Sequence, residues 1–192
     1  MKNHFLIVIL FLATLFASSC SETHIPKPRG FFRIALPPKE YQKLTDTLPY
    51  FFEYPAYATI SYELNTSDEP AWINVEFPQF SGSLHISYKQ VNNDLEVFTE
   101  DARTLVFKHI PKASAIYDSL ILNPEKRVYG MMYQIEGKGT ASPVQFYLTD
   151  STSHFLRAAL YFNVRPNNDS LSPVIDFLKA DLRHMVETFE WR

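Results

Sequence analysis

The chain has 192 residues, 46% of them hydrophobic and 15% aromatic, with 20% charged and a formal net charge of −3. That balance furnishes a core for one domain and excludes both a highly charged disordered chain and a basic nucleic-acid surface, so no nucleic acid is expected as a partner. The single cysteine, Cys20, excludes an internal disulfide and leaves packing to hold the fold.

Lys2, an apolar run from Phe5 to Phe16 and the small residues Ala17, Ser18 and Ser19 give the three-part pattern of a secretory signal over residues 1–19. A membrane-spanning helix needs about 20 apolar residues, so the run is expected to be cleaved rather than kept as a span. Small residues directly before Cys20 resemble the bacterial lipobox, in which diacylglycerol alkylates the cysteine thiol, although Ala17 stands where that box usually carries Leu. Lipidation of Cys20 is the expectation; the other reading is plain secretion that leaves a free thiol. Three acyl chains would anchor the protein firmly, because each buried methylene contributes about 0.8 kcal/mol and one chain binds only marginally. Cleavage leaves 173 residues with 17 basic and 21 acidic side chains, a formal charge of −4.

Residues 20–30 are polar and carry Pro26 and Pro28, which suits a short semi-extended lipidated tether, with a single domain over residues 31–192. Phe31 to Leu36 alternates loosely and ends at Pro37-Pro38, the pattern of a short edge strand. Tyr50 to Tyr57, broken by Pro49 and Pro55, reads as irregular but packed. Ala58 to Leu64 suits a strand, Asn65 to Pro70 a turn, and Trp72–Phe77 with Ser83–Tyr88 a hairpin closed by residues 78–82. The period then changes. Leu95, Phe98, Ala102, Leu105, Val106 and His109 recur at helical spacing, with Asp94 placed to cap and Pro111 to follow the end. Strand patterns return over Ala113–Leu122, Arg127–Glu136, Val144–Thr149 and Phe155–Val164, the last two forming a hairpin.

A second helix closes the chain. Ser172 is placed to cap it, Pro173 to occupy its first position, and Ile175, Leu178, Leu182, Met185, Val186 and Phe189 to form one apolar face. Strands, helix, strands, helix, without βαβ alternation, give an α+β fold in which an antiparallel sheet packs with a middle and a C-terminal helix. By topology alone, that order resembles the fold of the photosystem-associated PsbP proteins and of a nuclear transport factor. No repeat with a period of 20 to 50 residues and no low-complexity run is present.

The segments Pro26 to Pro37, Pro49 to Pro55 and Thr149 to Phe162 together resemble the GldD gliding-motility lipoproteins of the Bacteroidota, and the likeness covers nearly the whole chain. The resemblance implies an envelope lipoprotein needed for gliding and for the associated type IX secretion apparatus. It implies other envelope proteins of that machinery as partners, a membrane contact through the N-terminal lipid, an outer-membrane, periplasm-facing location, and no enzymatic activity or cofactor.

The residues themselves point the same way. His24, His85, His109, His154 and His184 show no metal-ligand spacing, and no nucleophile elbow, phosphate loop or dinucleotide fingerprint occurs, so no catalytic or metal site is expected. Glu76 and His85 are placed to face each other across the first hairpin, as an ordinary cross-strand pair. For partner binding the candidate is Lys27, Arg29, Phe31, Phe32 and Arg33, cations interleaved with aromatics as at interface centres. The alternative is that the rings anchor the tether while the cations face lipid headgroups. Tyr50, Phe51, Phe52, Tyr54 and Tyr57 form a second candidate surface or else part of the core. A ligand-binding or hydrolytic envelope protein acting on lipid, peptidoglycan or polysaccharide is the competing class.

The resemblance to that phylum also gives meaning to four acid-hydroxyl-aliphatic or Thr triplets, which match its O-glycosylation pattern at Thr47, Ser119, Ser151 and Ser170. Ser151 and Ser170 are the two expected in loops. The same triplets are also common turn chemistry.

Overall fold

In the computed structural model, which describes residues 33–62 and 71–192, hydrophobic alternation becomes one seven-stranded antiparallel sheet. The strands run, in chain order, β1 (Tyr41–Lys43), β2 (Tyr50–Phe51), β3 (Glu53–Pro55), β4 (Thr59–Tyr62), β5 (Ile73–Phe77) and β6 (Gly82–Gln90). Helix α1 (Leu95–Phe107) follows, then β7 (Ala115–Asn123), β8 (Val128–Glu136), β9 (Val144–Thr149), β10 (His154–Phe162), helix α2 (Asn168–Thr188) and β11 (Glu190–Trp191). The sheet order is β4-β5-β6-β10-β9-β8-β7, while β1 pairs with β3 and β11 with β2. This is an antiparallel α+β fold.

Successive strand residues point to opposite faces, so each face of the sheet collects its own set. Ile73, Val75 and Phe77, Leu84 and Ile86, Val144, Phe146 and Leu148, and Leu156, Ala158 and Leu160 share one cluster with Val174, Leu178, Leu182 and Met185 of α2. Tyr50, Phe52 and Phe189 complete that core, their rings stacked at 6.0 to 6.4 Å. On the opposite face α1 packs through Ala102 against Phe155, and through Val106 against Tyr133 and Ile135. The helix thus crosses β9 and β10, and beside it the β5–β6 half of that face stays open, with His85 exposed.

Several sequence expectations change. Residues 33–40 form no strand: Pro37 and Pro38 lack donors, and the Ala35 carbonyl instead accepts from Gln79 Nε2 at 2.6 Å. Phe31, Phe32 and the turn at residues 65–70 lie outside the described residues. The segment expected to be irregular, Tyr50 to Tyr57, holds β2 and β3. Its Tyr50 and Phe52 are fully buried and Tyr54 and Tyr57 pack on the core, so it is core rather than a contact surface. Asp94 sits at the N-cap of α1, yet its Oδ1 accepts from the Asn92 N–H at 2.7 Å and caps nothing. The strand expected from Ala113 begins at Ala115, after a 3₁₀ turn over Ile110–Lys112.

The start of α2 is corrected most. It begins at Asn168, four residues before Ser172, and Pro173 lies inside it. Asn168 fixes that earlier start: its side chain donates to the Gly137 carbonyl at 3.0 Å and to Thr140 Oγ1 at 2.6 Å, and its N–H to the Lys138 carbonyl at 3.0 Å. Those bonds outweigh the donor that Pro173 removes.

Candidate functional site

The open half of the second sheet face forms one wall of a groove of about 410 Å³, and α1 forms the other. Pleating sends Asn74 of β5, His85 and Ser87 of β6, and Arg157 and Tyr161 of β10 to this face. Register lines them up, with Asn74 opposite His85 and Ser87 opposite Arg157. Trp72 and Tyr161 supply aromatic surface, and Phe98, Asp101 and Leu105 of α1 close the far side. The Tyr161 ring meets the His85 imidazole edge to face at 5.4 Å, and the Lys89 ammonium lies 5.1 Å from the Trp72 ring centre. The volume falls in the range of small-ligand sites, and aromatic walls with a few converging polar groups are their usual composition.

Beneath the groove the polar groups are tied together. Arg157 donates to Gln145 Oε1 at 2.5 Å, which turns the amide so that Gln145 Nε2 donates to His109 Nε2 at 3.0 Å. An amide nitrogen cannot accept, so His109 Nε2 carries its lone pair and the ring is neutral. Burial pushes the His109 pKa below its ordinary 6.5, and the charges of Arg157 and Lys112 push it the same way. The row from Arg157 to His109 is therefore an orienting chain of donors, not an acid-base pair.

Two further clefts flank the helices. One of about 680 Å³ opens at the start of α2 between Glu136, Lys138, Asp169, Asp176 and Lys179, three acids and two bases. Another, of about 710 Å³, lies on the other flank of α1, where Glu100 and Arg103 already pair at 2.7 Å. Among the described residues no three His, Cys, Asp or Glu side chains stand close enough to hold a metal ion. Among them, too, no helix is long and apolar enough to cross a membrane.

Sequence-selected residues scatter over this frame. Cys20, Lys27, Arg29, Phe31 and Phe32 lie outside the described residues, and Arg33 is exposed at the start of the described segment. Glu76 faces Ser83 rather than His85 and accepts from Ser61 Oγ at 2.9 Å, because the 3₁₀ turn over Pro78–Phe80 sets the hairpin register. Thr47 is exposed in the β1–β2 loop, and Ser119 is exposed in the middle of β7. Ser151 sits in the β9–β10 turn at φ 70°, with its N–H donating to Thr149 Oγ1 at 2.9 Å. Ser170 is exposed in the first turn of α2 rather than in a loop, where its Oγ accepts from Asn167 Nδ2 at 3.0 Å. Sequence reasoning missed Asn74, Ser87 and Arg157 as a set.

A family model described as gliding motility lipoprotein GldD matches residues 21–191. No curated protein matches the chain. Among solved structures, the solution structure of cyanobacterial PsbP (CyanoP) from Synechocystis sp. PCC 6803 is similar at 11% identity, over 91% of this chain and 98% of that one, with a TM-score of 0.47.

Proposed function

We infer the function from one premise: the chain belongs to the gliding motility lipoprotein GldD family. On that basis the protein is held by lipid on Cys20 to the cell envelope, at the periplasmic side of the outer membrane. There it supports assembly or stability of the gliding machinery and the associated type IX secretion apparatus, by contact rather than by catalysis. The family match carries this reading.

A deletion strain complemented with variants tests the reading. Cys20→Ala is expected to leave the protein unanchored and the cells unable to spread, while Ser87→Ala in the groove keeps spreading within about twofold of wild type. Full spreading by Cys20→Ala would overturn the anchored reading.

One observation favours a second reading. Trp72 and Tyr161 beside Asn74, His85, Ser87 and Arg157 are the aromatic and polar mixture that takes a polar ligand such as an envelope glycan. Saturable binding of soluble peptidoglycan fragments, lost in Arg157→Ala, would support it.

A further inference from the structure

Strand β7 is the long edge of the seven-stranded sheet. It runs nine residues, pairs only with β8, and has no strand partner on its outer side among the described residues. The opposite edge, β4, has four residues. Proteins blunt edges with short strands, lysines, prolines or bulges, because unpaired N–H and C=O groups template pairing with another chain. β7 has no Lys, Arg or Pro, and Asp118 is its one charge. Besides the exposed Asp118 and Ser119, it presents large apolar side chains to solvent, with Tyr117 55%, Leu120 70% and Leu122 64% exposed. Leu120 and Leu122 lie on one face, opposite Met131 and Tyr129 of β8.

We propose that this edge pairs antiparallel with β7 of a second copy of the chain, about a two-fold axis through Ile121. The sequence selects that register. Leu120 then stands opposite Leu122 of the other copy, gathering four leucines on one face, and Ser119 stands opposite Asn123. Pro124 falls opposite Asp118 and ends the ladder, as a residue without a donor must. The two Asp118 carboxylates end at opposite ends of the ladder, six residues apart along the strands, which is about 20 Å at 3.3 Å per residue. An axis through Ser119 would instead set each Asp118 against Leu120 and bring the two carboxylates to diagonal positions. A five-residue ladder is smaller than the roughly 800 Å² per partner of a standard interface. Two copies anchored in one leaflet raise the effective concentration and offset that deficit.

The test is oxidative crosslinking of the full chain in its native envelope, with single cysteines placed at Ile121 or at Tyr117. Ile121→Cys is expected to yield a disulfide-linked homodimer and Tyr117→Cys none, since in this register the two 117 positions lie eight residues apart. Equal crosslinking at both positions, no homodimer at Ile121→Cys, or a crosslink there to a different protein would each overturn the proposal. In parallel, adding Leu120→Lys and Leu122→Lys to the Ile121→Cys chain is expected to abolish the homodimer crosslink in the envelope while leaving its melting unchanged. Both leucines are exposed, so the variant keeps its core, and a dimer that survives in it would contradict this edge as the interface.

Discussion

Lys39 Nζ lies 2.6 Å from Oδ2 of Asp181, a carboxylate on α2 with no solvent exposure. Tyr41 donates to Oδ1 at 3.0 Å, Tyr57 donates to Oδ2, and the Lys39 ammonium sits 3.3 Å from the centre of the Phe177 ring. One buried acid thus fastens the β1–β3 region to the C-terminal helix. Lys39 is partly exposed and can turn to water, so Asp181→Ala is expected to cost about 2–3 kcal/mol, the worth of hydrogen bonds to a buried charge. Tyr57→Phe should cost about 1 kcal/mol, the net worth of one hydrogen bond. Denaturant unfolding of the three proteins checks both figures.

Gly130 interrupts the buried row of β8 where that strand passes β9. A Cβ there would lie 1.9 Å from the Tyr147 carbonyl oxygen and 2.9 Å from its carbon, both backbone atoms that cannot swing away. Gly130→Ala is expected to destabilise by about 3 kcal/mol or to abolish soluble expression, the upper end of overpacking costs. A melting temperature equal to wild type would show that the two strands part at little cost.

Asp150 organises the β9–β10 turn. Its Oδ1 accepts from the N–H groups of Thr152, Ser153 and His154 at 2.8 to 3.0 Å, and Oδ2 accepts from Thr152 Oγ1 at 2.7 Å. Burial by itself would raise its pKa, but these bonds outweigh burial and hold the carboxyl well below its ordinary 3.8. A lowered folded pKa means stability that is present above about pH 4 and lost as pH falls further. Asp150→Asn should therefore cost about 2 kcal/mol at pH 7, the worth of hydrogen bonds to a charge, with the difference shrinking in acid. Melting curves at pH 7 and pH 3 measure it.

His109 behaves with the same sign at a higher pH. Its folded pKa lies below 6.5 while the unfolded ring titrates near that value, so the unfolded chain takes the proton first as pH drops. Its contribution is whole above about pH 6.5 and declines below it. His109→Gln, which cannot be protonated, is expected to flatten the stability profile between about pH 6.5 and 5 relative to wild type. Parallel profiles for the two proteins would contradict the neutral assignment.

The strands and helix faces were legible because they rest on local periodicity. The alternation in Ile73–Phe77 and in Val144–Thr149 is visible within a few residues, and so is the apolar stripe from Ile175 to Met185. The Asp150-Ser151-Thr152 turn was legible for the same reason. What failed depends on residues far apart in the chain. The anchors of Asn168 lie 28 and 31 residues upstream, so Ser172 and Pro173 offered the stronger local signal for a helix start. Glu76 missed His85 because the 3₁₀ turn over Pro78–Phe80 sets Phe77 opposite Gly82 and so Glu76 opposite Ser83, a register that local alternation does not reveal. The groove was invisible for the same physical reason, since Ser87 and Arg157 meet across strands 70 residues apart.

The most direct test of contact without catalysis is crosslinking and mass spectrometry of the tagged protein purified from its own envelope, beside an Arg29→Glu, Arg33→Glu variant. Gliding and secretion subunits are expected to be recovered with the wild type, and lost or sharply reduced with the variant. Recovery of no protein partner, together with a bound lipid or glycan, would contradict contact without catalysis.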